Sequence, residues 1–281
     1  MPMITGTTRL YAIVGDPIAH VRVPMVFNDV FQRERIDAAC VPIHVRALGL
    51  ASAMRGLAAM ENVAGFIVTA PHKHAMMTIC DEVVGEAKLV GAVNTVRREA
   101  DGRLVGELFD GRGFVEGLKA NGHAVAGRRI FVNGAGGAGN AVTFALARAG
   151  VAALTIHNRT LARAEDLATR LKRAYPACEV RVGAKDPRGH DIAVNATSVG
   201  LEPGDPASFD PTLLPASTLV AEVIMKPELT PLLAAAQAHG NPIHHGRHML
   251  DCQLEPIFEF LRARSPAVAP AHAQMGAGAA A

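Results

Sequence analysis

The chain has 281 residues, 49% of them hydrophobic, and its formal net charge of +2 argues against nucleic acid or an anionic membrane as a partner. Its four cysteines lie far apart and form no C-x-x-C pair, which argues against a disulfide framework or a zinc module. The N-terminus lacks an apolar signal core and no run reaches the ~18 apolar residues of a membrane span, so a cytoplasmic protein without a membrane partner is expected.

The first hundred residues alternate short apolar strands with helical stretches. The pattern predicts strands at 9–15, 38–45 and 65–70, helices at 24–34 and 50–60, and a hairpin at 93–108. The hairpin turn is expected at Asp101-Gly102. This βαβα order predicts a largely parallel sheet with helices on its faces.

A second α/β unit begins near Gly111 with a connecting helix that ends at Asn121-Gly122. Further strands are predicted at 128–133, 152–158, 178–182, 191–196, 218–224 and 242–246, and helices after residue 139, at 161–174 and at 248–261. The chain then ends in a low-complexity tail. The whole pattern predicts an α/β protein.

The segment GAGGAG lies between a predicted strand and a predicted helix, the context of the G-x-G-x-x-G dinucleotide-binding turn. Gly134 allows a tight turn, Gly136 lets the backbone approach a pyrophosphate, and Gly139 permits close helix–strand packing. The anion is expected at the helix N-terminus. The candidate cofactor-binding residues are Gly134, Ala135, Gly136, Gly137, Ala138 and Gly139. A glycine-rich turn without a ligand is the alternative.

The residues after the second strand of this unit bear on which dinucleotide is bound. An NAD site expects Asp or Glu there, whereas this chain has Asn158, Arg159 and Thr160, with Arg163 four residues after Arg159. Arginines at i and i+4 of a helix would face the same way and could hold a 2′-phosphate. NADP is therefore favoured and NAD remains possible. An ordinary helix cap with solvated arginines is the alternative.

A candidate chemical site follows the third strand. Lys73 lies just past residues 65–70, at the sheet edge where α/β proteins bind ligands, and Asn94 and Asp110 are expected nearby. Oxidation of an alcohol by hydride transfer requires a group that takes the hydroxyl proton, and a lysine can do so if burial lowers its pKa. A neighbouring aspartate would hold the lysine in place and oppose that lowering. A solvated surface lysine is the alternative.

Several motifs in order resemble those of the shikimate dehydrogenase family, from Tyr11 to about Phe260. They are V-T-A-P-H-K, G-A-V-N-T, the D-G-x-G that begins at Asp110, G-A-G-G-A-G, N-R-T-L-A-R-A, N-A-T-S-V-G-L and G-R-H-M-L-D-C-Q. The resemblance implies reversible hydride transfer between NADPH and the C3 carbonyl of 3-dehydroshikimate, or a reaction on a related cyclic hydroxy compound.

The resemblance also implies a division of the chain and roles for its residues. It implies a substrate-binding and catalytic domain at 1–110, a Rossmann NADP-binding domain at 111–245, a cleft between them, a helix at 246–263 that returns to the first domain, and the tail at 264–281. Lys73 and Asp110 would be catalytic, while Thr69, Asn94 and Gln253 would bind the substrate. The cofactor would contact the glycine-rich turn together with Asn158, Arg159, Thr160 and Arg163.

The chain departs from the family pattern at its opening loop. The family has A-H-S-x-S-P there, with both serines donating to the substrate carboxylate, whereas this chain has Val21 and Val23. These substrate-binding positions predict that the substrate is less polar on this side and that the activity on shikimate is low. The alternative is that Arg22, His20 or Lys226 binds the same carboxylate.

Other departures point the same way. The family's N-T before the catalytic aspartate is here Leu108-Phe109, and a common tyrosine is here Met225. In the glycine-rich turn, Gly139-Asn140 replaces the family's Ser or Ala followed by Arg. We read the first two departures as polar substrate contacts exchanged for apolar ones.

Remaining signals are weaker. His244, His245 and His248 lack the spacing of a metal site, so no metal is expected. His72 and His74 flank Lys73 and could either change the electrostatic field at its ammonium group or point outward from the start of a helix. A non-catalytic dinucleotide-binding sensor is the rival function. The partner expected is a small-molecule substrate, and the sequence leaves monomer and homodimer open.

Overall fold

The computed structural model describes residues 4–19 and 21–262, so His20 and the predicted tail at 264–281 lie outside the described residues. Within those ranges the chain forms two sheets of six strands each, with helices packed on their faces. One apolar core cluster includes residues of both sheets, among them Val14 and Phe66 of the first and Val132 of the second. The α/β prediction is confirmed.

The first sheet has the strand order β2-β1-β3-β5-β6-β4, parallel between β1 and its neighbours and antiparallel in the β5–β6 hairpin. Its strands are β1 (Arg9–Gly15), β2 (Ala38–His44), β3 (Val63–Val68), β4 (Glu82–Val83), β5 (Thr95–Arg98) and β6 (Leu104–Glu107). Its helices are α1 (Val23–Arg33), α2 (Leu50–Ala58), α3 (Met76–Ile79) and α4 (Gly85–Val90). The predicted strands, helices and hairpin are present, whereas β4 and α4 were not predicted.

The second sheet is parallel throughout, with the order β12-β11-β10-β7-β8-β9. Its strands are β7 (Arg129–Asn133), β8 (Ala153–His157), β9 (Glu179–Val182), β10 (Ile192–Asn195), β11 (Leu219–Glu222) and β12 (Ile243–His244). Helices α6 (Gly137–Arg148), α7 (Leu161–Ala174) and α8 (Pro231–Ala238) connect them. The order is that of a doubly wound nucleotide-binding sheet, whose ligands bind at the carboxyl ends of the strands.

Two helices join the sheets. Helix α5 (Asp110–Ala120) follows the β5–β6 hairpin, and α9 (Arg247–Arg262) packs against it. The approach is so close that a Cβ on Gly113 would lie 2.3 Å from the carbonyl oxygen of Met249. Phe258 of α9 packs into an aromatic cluster of the first sheet, with ring centroids 4.5 Å from Phe27 and 5.7 Å from Phe31. The domain boundaries themselves stay a prediction.

None of the helices in residues 4–19 and 21–262 combines the length and the apolar character needed to cross a membrane.

We expect the substitution Phe258→Ala to lower the free energy of unfolding by ~3–5 kcal/mol, because it removes a buried ring from the α9 contact and leaves a cavity. Urea denaturation followed by circular dichroism measures the change. The control is Leu48→Ala at a fully exposed leucine, which should shift stability by less than ~0.5 kcal/mol. Equal effects of the two substitutions would contradict the packing role of α9.

Candidate functional site

A cavity of about 590 Å³ lies between the two sheets, and we refer to it as the central cavity. Residues from the first-sheet side that line it include Val21, Val23, Thr69, Lys73, Asn94 and Asp110. The second-sheet side contributes Leu201, Glu202, Met225 and Lys226, and α9 contributes Leu250, Gln253 and Leu254. All seven residues assigned to chemistry or substrate binding from the sequence therefore line one cavity.

The polar centre of the cavity is the carboxylate of Asp110. Its Oδ2 accepts a hydrogen bond from Nζ of Lys73 at 2.5 Å, and its Oδ1 accepts one from Nδ2 of Asn94 at 2.9 Å. The same amide nitrogen of Asn94 also donates to Oε1 of Gln253 at 3.1 Å. The Lys73 side chain is 29% exposed and that of Asp110 10%, so the lysine is the more exposed member of the pair.

Asn94 connects this arrangement to the backbone at the start of α5. Its Oδ1 accepts hydrogen bonds from the backbone nitrogen of Phe109 and from the hydroxyl of Thr95, both at 3.0 Å. The first contact ties the start of β5 to the residue before α5. Because Asp110 is the first residue of α5, the side chain of Asn94 fixes both the position of that helix start and one oxygen of its carboxylate.

The opening loop presents no hydroxyl to the cavity at residues 21 and 23. Val23 is buried and belongs to the apolar cluster of Tyr11 and Phe27, while Val21 packs against the same cluster. Arg22 and Lys226 are both exposed and line the cavity from opposite sides. The cavity thus has apolar side chains at residues 21 and 23 and two cations among its exposed lining residues.

The interpretation of Leu108-Phe109 as exchanged substrate contacts is wrong. Both side chains are buried, and neither is among the residues that line the central cavity. Leu108 belongs to the large core cluster, and the ring of Phe109 packs 5.6 Å from that of Phe260. Their apolar character stabilises the junction of hairpin, α5 and α9.

The glycine-rich turn fits a dinucleotide phosphate. Gly134 has φ +123°, which favours glycine, and a Cβ there would lie 2.6 Å from the carbonyl oxygen of Ala196. A Cβ on Gly139 would lie 2.1 Å from the oxygen of Gly134, whereas no atom lies within 4 Å of one on Gly136. The turn is therefore compact on its inner side and open on its outer side, where the N-terminus of α6 begins at Gly137.

The residues after β8 are placed as follows. Asn158 accepts a hydrogen bond from the backbone nitrogen of Ala135 at 3.0 Å and so joins the β8 end to the glycine-rich turn. Arg159 and Arg163 are exposed. The i, i+4 argument for them is wrong, because α7 begins at Leu161 and Arg159 lies in the bend before it. Thr160 occupies the N-cap position, yet its side chain makes no capping hydrogen bond.

Glu222, at the end of β11, was not identified from the sequence. It is fully buried and accepts hydrogen bonds from the backbone nitrogens of Val223 and Ile224, from Nδ2 of Asn195 and from the hydroxyl of Thr230, at 2.9–3.1 Å. Burial raises the pKa of Glu222 to about 7, against the lowering effect of these hydrogen bonds. The carboxyl fixes the segment that leads to Met225 and Lys226.

The histidines flanking Lys73 differ. His72 is buried, with Nε2 2.7 Å from the carbonyl oxygen of Val45, whereas His74 is exposed. His244 is buried beside His248, with ring centroids 4.9 Å apart, and burial followed by the charges of neighbouring histidines lowers its pKa to about 3. In the part of the chain that the structure describes, no group of three or more His, Cys, Asp or Glu could hold a metal ion.

Comparison with known proteins supplies relatives along most of the chain. A family model described as shikimate dehydrogenase substrate binding domain matches residues 13–96, and one described as shikimate / quinate 5-dehydrogenase matches residues 117–200. The shikimate dehydrogenase (NADP(+)) of Geobacter sulfurreducens is 38% identical over 91% of this chain and 91% of its own.

Solved structures agree with these matches. Shikimate 5-dehydrogenase from Listeria monocytogenes, solved with shikimate and NAD, is 30% identical with a TM-score of 0.86, covering 95% of this chain and 96% of its own. The ligand-free 5-ketofructose reductase of Gluconobacter sp. strain CHM43 is 34% identical with a TM-score of 0.82, covering 92% of this chain and 94% of its own. The similarity therefore extends to a relative named for a different substrate.

We expect Glu222 to make the free energy of unfolding fall as the pH rises from 4.5, the ordinary pKa of a glutamate, to about 7. A carboxyl whose pKa is higher in the folded chain contributes its full stability below the unfolded pKa, and this contribution is lost as the pH rises through the folded pKa. Urea denaturation at several pH values in this range measures the free energy of unfolding of the wild type and of Glu222→Gln. As the pH rises, the wild type should lose stability relative to the variant. The exposed Glu165→Gln is the control, and a pH-independent difference for Glu222→Gln would contradict the prediction.

Proposed function

The chain belongs to the shikimate dehydrogenase family, and we propose that it is an NADP-dependent dehydrogenase whose substrate is a small polyhydroxylated compound bound without a carboxylate contact at Val21 and Val23. Family membership makes it an enzyme that acts on a CH–OH group. The observation that carries the substrate proposal is the placement of these two valines in the same cavity as the Lys73–Asp110 pair.

Lys73 is the residue that we propose moves the proton. Its ammonium group is held by Asp110 and the residue lines the cavity, so it can donate a proton to the oxygen of a carbonyl under reduction. In the reverse direction the amine takes the hydroxyl proton. Asp110 orients the lysine and is itself held by Asn94, which leaves the proton-carrying nitrogen in one place.

The cofactor assignment rests on the fit of the second sheet to NADP. The open outer side of the glycine-rich turn suits the pyrophosphate, and the exposed Arg159 and Arg163 suit the 2′-phosphate of the adenosine. When bound, NADPH supplies the hydride and NADP accepts it. The chain contributes the phosphate contacts, and Asn158 keeps the β8 end and the turn together.

The substrate proposal follows from the cost of burying a carboxylate against methyl groups. Hydrogen bonds to charged groups contribute ~1.5–3 kcal/mol each, so two missing hydroxyl donors correspond to ~10²–10⁴ in affinity. A hydroxylated ketone without a carboxylate loses nothing at Val21 and Val23. The name of the Gluconobacter relative supports this, because 5-ketofructose is such a ketone.

Shikimate itself is the second candidate, and one observation favours it. Arg22 and Lys226 are exposed cations that line the central cavity, and either could meet a carboxylate that the opening loop does not bind. On this alternative the family reaction on 3-dehydroshikimate would be retained.

We expect Lys73→Ala to reduce kcat by at least ~10²-fold, because it removes the proton donor while leaving the nucleotide contacts in place. The dissociation constant for NADPH, measured by isothermal titration calorimetry, should stay within ~2-fold. Lys88→Ala, at an exposed lysine of α4, is the matched control and should retain wild-type turnover. Unchanged turnover in Lys73→Ala would contradict the catalytic assignment of Lys73.

The substrate preference is tested by the absorbance of NADPH at 340 nm, which falls as 5-ketofructose is reduced by NADPH and rises as shikimate or quinate is oxidised by NADP. We expect wild-type kcat/KM to be higher for the carboxylate-free ketone than for either acid. Restoring serine in Val21→Ser/Val23→Ser should lower the KM for shikimate by ~10-fold or more, because two donors return to the carboxylate site.

One control variant and one contradicting outcome complete this comparison. Val41→Ser, at an exposed valine of β2 outside the cavity, should leave every KM unchanged. If the wild type already shows a low-millimolar or smaller KM for shikimate that rises in Arg22→Ala or Lys226→Ala, then shikimate is the substrate and the carboxylate-free proposal is wrong.

A further inference from the structure

His74, the residue after the catalytic lysine, has a fixed ring orientation although its side chain is exposed. Its Nδ1 lies 2.8 Å from the carbonyl oxygen of Gly91. A carbonyl oxygen can only accept, so Nδ1 carries the proton in this contact. The second ring nitrogen, Nε2, is therefore directed away from Gly91 by a defined hydrogen bond.

Nε2 of His74 lies close to the glycine-rich turn of the second sheet. It lies 3.9 Å from the position that a Cβ on Gly137 would occupy. Gly137 is the first residue of α6, and it is exposed together with Gly136, beside which the space is open. The imidazole thus borders the same open side of the turn that fits the pyrophosphate.

Contacts between the sheets hold His74 in this position. The segment 89–91 at the end of α4 offers three carbonyl oxygens, of which that of Gly91 accepts from His74. Arg170 of α7 donates to the oxygens of Leu89 and Val90, at 3.1 and 3.4 Å, and also to Oδ1 of Asn140 in α6 at 2.8 Å. One arginine therefore ties the anchor of His74 to the helix that begins at the glycine-rich turn.

We propose that His74, as an imidazolium, is a cofactor-binding residue that donates a hydrogen bond from Nε2 to the pyrophosphate of NADP. The inference rests on the proposed NADP function and adds a phosphate contact from the first-sheet side to those of the second sheet. The glycine-rich turn, Arg159 and Arg163 all belong to the second-sheet part of the chain.

Contact of Nε2 with the pyrophosphate changes the protonation of the His74 ring. Because Nδ1 already carries a proton, Nε2 can donate only when the ring is cationic, so binding to a neutral ring takes up one proton. The titratable and charged groups on the elements that hold His74 in place are His72 and Lys73 in the same turn, Glu86 and Lys88 on α4, Arg148 on α6, and Arg163, Glu165, Asp166, Arg170, Lys172 and Arg173 on α7. Glu86 pairs with Arg148 at 2.8 Å, and Lys73 and Arg170 pair with Asp110 and Asp166.

The test measures binding of NADPH and of 2′-AMP, which has the 2′-phosphate but no pyrophosphate, by isothermal titration calorimetry of the full chain. His74→Ala and His74→Gln should each weaken NADPH by at least ~10-fold, the effect of one charge-assisted hydrogen bond, and leave 2′-AMP within ~2-fold. Repeating the wild-type titration in buffers of different ionisation enthalpy should show proton uptake at pH 7.5 that both variants lack.

The controls separate this inference from the function on which it rests. His239→Ala, at the C-cap of α8, which packs on β11 and β12, should bind both ligands like the wild type. Arg159→Ala/Arg163→Ala should weaken 2′-AMP and NADPH together. Unchanged NADPH affinity in both His74 variants, or equal weakening of both ligands, would overturn the role of His74. Absence of NADPH binding in the wild type would instead overturn the proposed function.

Discussion

The carboxylate of Asp110 is the interaction on which the rest of the site depends. One oxygen holds Lys73 from the end of β3 and the other holds Asn94 from the start of β5, while the residue itself begins α5. Since α5 packs on α9 through glycines, the same helix start also brings Gln253 to the amide of Asn94. A displaced α5 would separate the lysine, the amide and the glutamine at once.

Buried polar groups and glycines give the two sheets their fixed relation at the cavity. Glu222 accepts hydrogen bonds from donors at the ends of β10 and β11 and at the N-cap of α8. Without these partners, burial of its carboxyl group would cost several kcal/mol. A Cβ on Gly246 would lie 2.3 Å from the oxygen of Ile224, so α9 starts directly against the segment that Glu222 fixes. The cavity wall at Met225 is thus positioned from two sides.

Most of the fold could be predicted because its elements are long and strongly patterned. Helix α7 occupies the predicted residues 161–174, and the hairpin and the glycine-rich turn were readable from local signals. The short elements β4 and α4 were missed because two and six residues are too few for a period to be seen. Helix α8 was also missed, although Thr230 and Pro231 form a recognisable helix start.

By itself the sequence determined the residues whose chemistry is local: the glycine-rich turn, and the motifs with Lys73, Asn94 and Asp110, which lie at the ends of predictable elements. Only the tertiary structure decided which neighbours they have. It placed Leu108 and Phe109 in the core, gave Glu222 its donors and brought His74 to Gly137. Many of these contacts join residues that lie far apart along the chain, and no periodicity or motif encodes the packing that brings such residues together.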